Sequence, residues 1–283
     1  MSAHKHINKV KKIVAFANSK GGVSKTSTCL GVASCCAELG YKTLVVDLDH
    51  QANLSDDVGR GDEDYTITDL FENPKFDINK IVYPALDNGN AISNLWVVPA
   101  DITLAVEARA AERFRHRLHI IEDGLKKLKQ DFDICFFDCR PAIDLTIENA
   151  LLLSDMVVIP VNMDKRATKG INDLFEVTKE IKRTDDFMSL IVKTMFDRRN
   201  KVMIRAIEEE LSNKGWKVAN SVVSVSESFK QATKYNRPFT SFANDSRQHN
   251  ELRALANELL DSLQVEGRRF NLVVEEDGVA CGA

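Results

Sequence analysis

Short runs that are apolar at nearly every position lie at 12–18, 43–47, 95–98, 134–138, 156–161, 189–194 and 217–222. Continuous rather than alternating hydrophobicity is the pattern of a parallel strand covered on both faces. Helix-like stretches lie between and after them, at 26–39, 102–129, 147–153, 168–182, 202–214 and 247–263. Gly40 falls where a helix C-cap glycine belongs. This alternation predicts an α/β fold, a single doubly wound and mostly parallel sheet flanked by helices. No internal repeat and no linker rich in Pro, Gly or Ser divides the chain, and residues 56–66 read as an acidic loop. The expected organisation is a short polar arm at 1–11, one domain at 12–264 and a loose acidic tail at 265–283.

Composition narrows the class. The chain has 283 residues, 44% hydrophobic and 28% charged, enough to bury a sizeable core. Its net charge is −4, so any nucleic-acid binding must come from a local basic patch rather than from global attraction. The six cysteines form no C-x-x-C pair, and four lie in apolar stretches. Buried thiols in a reducing cytosol are expected. The polar start, M-S-A-H-K-H, runs directly into the first strand, so neither a signal peptide nor a preceding helix-turn-helix is expected. No apolar run approaches the roughly 20 residues of a membrane span.

The candidate chemistry concentrates where the first strand meets the first helix. Residues 20–27 read K-G-G-V-S-K-T-S. Strand, glycine-rich turn and helix in that order make a phosphate-binding loop. Gly21 and Gly22 let the backbone approach phosphate oxygens. The successive N–H groups of Lys20, Gly21, Gly22, Val23, Ser24, Lys25, Thr26 and Ser27, with the positive end of the helix, suit an anion. Lys25 supplies a point charge for the β- and γ-phosphates, and the Thr26 hydroxyl can ligate Mg²⁺. Ser19 and Ser24 stand where the ordinary pattern has glycine. A left-handed backbone at Ser24 would make its side chain cost on the order of 1 kcal/mol.

Two further strands end in carboxylates. The segment L-V-V-D-L-D-H-Q-A-N-L-S places Asp47 and Asp49 on one face of a strand end, and such aspartates also cap turns. The carboxyl edge of an open parallel sheet is where ligands bind. The segment I-C-F-F-D-C-R-P-A ends its strand in Asp138.

Lysines on both sides of a glycine pair, xKGGxxK[ST][ST], form a deviant phosphate loop. The chain therefore resembles the ParA-type partitioning ATPases, P-loop NTPases of the group that includes MinD and the nitrogenase iron protein. The resemblance runs from about residue 12 to 263. It includes D-x-D-H-Q-x-N, with His50 in place of the family's proline, and the later stretches I-P-V-N and 224–238. Arg140 replaces the first of two prolines after the Asp138 strand.

The resemblance implies ATP and Mg²⁺ as cofactors and weak basal hydrolysis of ATP to ADP and phosphate. No N-K-x-D guanine-reading motif appears, which favours adenine. Lys20, Lys25 and Asp49 would carry catalysis: Lys20 reaching the nucleotide of a partner subunit, Lys25 holding phosphate, Asp49 orienting water. Thr26, Asp47 and Asp138 would hold the metal, Asp47 from its outer shell and Asp138 through water. The implied protein is cytoplasmic and nucleoid-associated, and no membrane is expected among its partners. It dimerises on ATP, binds DNA without sequence preference and is released when a ParB-like centromere-binding partner stimulates hydrolysis.

Arg198, Arg199, Lys201 and Arg205 are the leading DNA candidates, followed by Lys214, Lys217, Lys230, Lys234 and Arg237. Ser221 and Ser224 stand near where many members have arginines. Arg109, Arg113, Arg115 and Arg117 read mainly as an exposed helix or a dimer surface. The alternative is a MinD-like or other positioning ATPase for a non-DNA cargo. A MinD-like protein would need a basic amphipathic helix at the carboxyl end, which here is acidic and small. An iron–sulfur reductase would need a second cysteine matching Cys139, and none appears.

Overall fold

The computed structural model describes residues 7–162, 167–197, 199, 201–274 and 280–282. In chain order the first half contains β1 (Val10–Phe16), α1 (Lys25–Glu38), β2 (Thr43–Leu48), α2 (Asn53–Asp57), α3 (Ile67–Glu72), β3 (Tyr83–Asp87), β4 (Asn90–Val98), α4 (Leu104–Ala110), α5 (Ile120–Leu125) and β5 (Phe132–Cys139). The second half contains α6 (Leu145–Leu153), β6 (Met156–Asn162), α7 (Ala167–Lys182), β7 (Met188–Phe196), α8 (Lys201–Asn213), β8 (Val218–Ser224), α9 (Glu227–Lys234), α10 (Phe239–Phe242) and α11 (Arg247–Ser262). A small hairpin of β9 (Leu272–Val274) and β10 (Ala280–Gly282) follows.

The main sheet runs β3-β4-β2-β5-β1-β6-β7-β8. Every neighbouring pair is parallel except β3 with β4. The strands are apolar throughout because both faces are covered. Val14 and Phe16 of β1 join a core with Val32 and Cys36 of α1 and Leu252, Leu255 and Leu259 of α11. Ile13 and Ala15, pointing the other way, join Leu104, Ile121, Leu151 and Ile171. α1 and α11 approach closely at Gly31, where a Cβ would lie 2.6 Å from Leu252 Cδ1.

Several elements differ from the sequence reading, which expected no helix at α2, α3, α9 or α10. The single helix expected at 102–129 is broken into α4, two short 3₁₀ turns and α5. Phe114 adopts an extended backbone (φ −74°, ψ 136°) and packs against the core. One helix would have stacked Arg109, Arg113 and Arg117 at i, i+4 and i+8, with like charges repelling along one face. β3 and β4 form an unanticipated antiparallel edge, joined by Asn88 and Gly89 at φ 48° and 78°. Positive φ at both turn residues is the two-residue hairpin geometry favoured by Asn-Gly. At the start of the segment expected to be a loose tail, Phe270 N–H donates to Asn257 Oδ1 at 3.0 Å, while the acidic stretch 275–279 lies outside the described residues. Arg269 adds an ion pair to Asp261 at 2.8 Å. Among the described residues, no helix is long and apolar enough to cross a membrane.

Candidate nucleotide site

β1 lies between β5 and β6, so the loop leaving its carboxyl end is held from both sides. Buried Asn18 fixes the loop's start: its Nδ2 donates to Pro160 O at 2.8 Å, and its Oδ1 accepts from Lys20 N–H at 2.9 Å. The Thr194 hydroxyl at the end of β7 donates to Val23 O at 2.9 Å. Gly22 sits at φ 72°, and Ser24 precedes α1 in the left-handed region at φ 58°, ψ 33°. No side chain caps α1 and its first turn carries no acidic residue, leaving the helix start to an external anion.

Lys25 is buried, and its Nζ donates to Lys20 O at 3.3 Å. Burial pulls the ammonium below its ordinary pKa, against the opposing pull of Asp138 and Asp49. Lys20 Nζ donates to Asn162 Oδ1 at 2.9 Å, so its ammonium reaches the end of β6.

Asp47 and Asp138 are register partners on β2 and β5, and Asp138 also faces Phe16 of β1. Asp47 is fully buried and clamps its loop. It accepts from Asp49 N–H at 3.0 Å, from Ser55 N–H at 3.1 Å and from the Ser55 hydroxyl at 2.7 Å. Burial, opposed by these bonds, pushes its carboxyl up to about 6. Asp49 accepts from Gln51 N–H at 3.0 Å. Asp138 is buried; burial first and Asp47 second hold its carboxyl well above the usual range, while the Thr26 hydroxyl opposes them. Its Oδ1 has no hydrogen-bond partner.

A family model described as an AAA domain matches residues 11–190, well over half of the chain. The chain is 30% identical over 242 residues to the Bacillus subtilis sporulation initiation inhibitor protein Soj, covering 83% of this chain and 93% of that protein. It is 32% identical over 208 residues to the chromosome partitioning protein ParA of Myxococcus xanthus, covering 71% and 70%. The chain belongs to the ParA-type P-loop ATPases. Its fold is shared by a Borrelia burgdorferi protein described as a plasmid partition protein, solved with AMPPNP. The TM-score is 0.75 at 22% identity, over 89% of this chain and 99% of that one.

Within this ATPase family fold, the residues fit a divalent cation. An orphaned, buried carboxylate oxygen beside a threonine hydroxyl is an incomplete set of hard oxygen donors, the kind Mg²⁺ takes. Asp47 lies beside them, already committed to the loop through Ser55. Arg140, which departs from the family pattern, pairs with Asp144 at 2.8 Å, and Asp144 caps α6.

One lining was not foreseen. A cavity of about 350 Å³ opens beside Ser24 and Ser27, walled by Met195, Val225 and Phe229. Its exposed wall is mostly apolar, with Ser224, Ser226, Lys230 and Thr233 also lining it, and it adjoins the phosphate loop, a setting that suits a nucleotide base. The stretch 224–238 carried a signal in its likeness to the family, but not one that pointed to a base pocket.

Of the four leading DNA candidates, the described residues place the side chains of Arg199 and Arg205. Arg198 and the side chain of Lys201 lie outside the described part of the structure. Arg199 is exposed but clamped by Asp197, with Nη2–Oδ2 at 2.6 Å. Arg205 is exposed on α8, whose next turn holds Glu208, Glu209 and Glu210. Ser221 and Ser224 are buried toward α11: Ser224 donates both N–H and hydroxyl to Glu251 at 2.7 Å. Arg109, Arg113, Arg115 and Arg117 are exposed, but not on one helix.

The left-handed backbone at Ser24 carries a prediction. Ser24→Gly removes a side chain from a conformation that glycine adopts freely, worth about 1 kcal/mol to the folded state. Calorimetry is expected to show a melting temperature higher by about 2 °C for a chain of this size, with ATP affinity equal or tighter. A large loss of affinity would show that the hydroxyl itself touches the ligand.

Proposed function

We propose that this chain is a DNA-partitioning ATPase that binds ATP with Mg²⁺, dimerises in that state, holds DNA without sequence preference and is released by partner-stimulated hydrolysis. The observation that carries the nucleotide chemistry is the meeting of Lys25, Thr26 and the unpartnered Asp138 oxygen at the carboxyl edge of β1 and β5. The partition role rests on the likeness to Soj and ParA. Magnesium, when bound, supplies positive charge to the β- and γ-phosphates. Thr26 and Asp138 hold it, with Asp47 in the outer shell. The α1 start and Lys25 hold the phosphates, and Asp49 orients the attacking water. Lys20 leaves Asn162 to reach the nucleotide of the second subunit. Such a site works by positioning and electrostatics rather than by covalent steps. The proposed setting is the cytoplasm, on the nucleoid, with a ParB-like protein as the stimulating partner.

Light scattering and duplex-DNA anisotropy test this together. With ATP and Mg²⁺ the protein is expected to be a dimer that retains DNA; with ADP it is expected to be a monomer that does not. DNA affinity should fall with salt, with a log–log slope of about −0.9 per neutralised phosphate. An ATP dimer with no DNA affinity at low salt would replace DNA with a non-DNA cargo.

A further inference from the structure

We propose that the pocket between the segment after α3 and α5 docks an acidic segment of a partner protein, one that carries an aliphatic or aromatic side chain among its carboxylates. The pocket holds about 720 Å³, inside the roughly 300–1,000 Å³ of ligand clefts. Its exposed wall is mostly apolar, and Pro74, Phe114 and Ile120 are the apolar members of its lining. The break at Phe114 helps to form it: the ring packs against the core while Arg115 and His116 stay exposed. Lys75, Arg115, Lys126 and Lys127 also line it, and Asp123 is the one carboxylate there among the described residues. Lys126 is already paired, with Glu122 at 2.7 Å and Asp123 at 3.7 Å. Lys127 Nζ donates to the Pro74 carbonyl at 3.4 Å. Lys75 and Arg115 have no ion-pair partner among the described residues.

One occupant must answer both parts of this lining. A nucleic-acid backbone offers charge to the cations but nothing apolar to Phe114 and Ile120. A wholly apolar peptide fills the floor and leaves Lys75 and Arg115 without counter-charge. A segment with carboxylates beside a leucine, isoleucine, phenylalanine or tryptophan answers both. The apolar side chain buries its area in the centre, and the carboxylates at the rim speed the encounter and fix its orientation. Arg115 adds geometry to charge, because a guanidinium can hold a carboxylate through two parallel N–H donors. The pocket shares no lining residue with the cavity beside Ser24, so the inference goes beyond the nucleotide chemistry and does not rest on it.

The test selects random peptides displayed on phage against the full chain, then measures the enriched peptides by fluorescence anisotropy. Enriched sequences are expected to set two or more aspartates or glutamates around an apolar residue. Lys75→Glu/Arg115→Glu changes two exposed positions, so folding and ATP affinity should match wild type. This variant is expected to bind the peptides about tenfold more weakly or worse, since reversed charge repels the carboxylates. Replacing the peptide's apolar residue by serine is expected to cost a similar factor, which tests the floor without altering the protein. Enrichment of non-acidic peptides, or equal binding by the variant, would overturn the proposal. Equal binding of the serine peptide would also overturn it, by removing the pocket as the seat of the contact. Loss of duplex-DNA binding by the variant, with no acidic peptide enriched, would assign the surface to nucleic acid instead. Loss of its self-association in ATP, again with no acidic peptide enriched, would assign the surface to a second copy of the chain.

Discussion

Lys25→Ala is expected to abolish ATP binding without unfolding the protein. Lys25 is only 7% exposed, and its Nζ donates to one carbonyl, Lys20 O, at 3.3 Å. Burial works against its charge, so the nucleotide-free protein holds a cation that is poorly solvated. A phosphate group would satisfy it. Removing one partner of a buried charge pair costs about 2–5 kcal/mol of binding, a loss of at least about thirtyfold. The free protein should lose little stability, since the desolvated charge leaves with the side chain. Isothermal titration checks the first part and a melting curve the second. Affinity within threefold of wild type would remove the phosphate-loop assignment.

Asp49→Ala is expected to separate binding from turnover. Asp49 accepts one bond from its own loop, whereas Asp47 accepts three and ties Ser55 to the strand end. Loss of a group that positions the attacking water lowers turnover by about 10²–10⁴-fold. The variant should bind ATP normally and accumulate as a dimer. Asp47→Ala serves as the contrast: it orphans the buried Ser55 N–H and hydroxyl, so it should lower the melting temperature as well. Full ATPase activity in Asp49→Ala would return the two aspartates to a shared capping role.

Most of the sheet was legible because parallel strands buried on both faces read as unbroken apolar runs, as at Ile134, Cys135, Phe136 and Phe137. The phosphate loop was legible because its chemistry is local in sequence. What escaped was tertiary. The break at Phe114 depends on core packing rather than on helix propensity. The cavity beside Ser24 joins β7, β8 and α9 to the phosphate loop, and no local pattern announces such a meeting. Arg199 reads as an isolated cation in sequence, whereas Asp197, two residues before it, accepts its guanidinium hydrogen bonds at the surface. The β3–β4 hairpin does carry a local signal, Asn88-Gly89 flanked by strand-like residues.

The central position of β1 also sets a timetable for the newborn protein. Its flanking contacts join residues 122 and 142 positions apart, as in Lys9–Asp131 and Ile13–Asp155. At ordinary rates of synthesis, β5 emerges on the order of 10 s after β1. For that interval the whole K-G-G-V-S-K-T-S stretch exists without the walls that shape it. A ribosome-bound chain ending before β5 would carry every residue of the phosphate loop and still have no nucleotide site. Its unpaired apolar strand would instead be open to chaperones and to aggregation, as non-local parallel pairing entails.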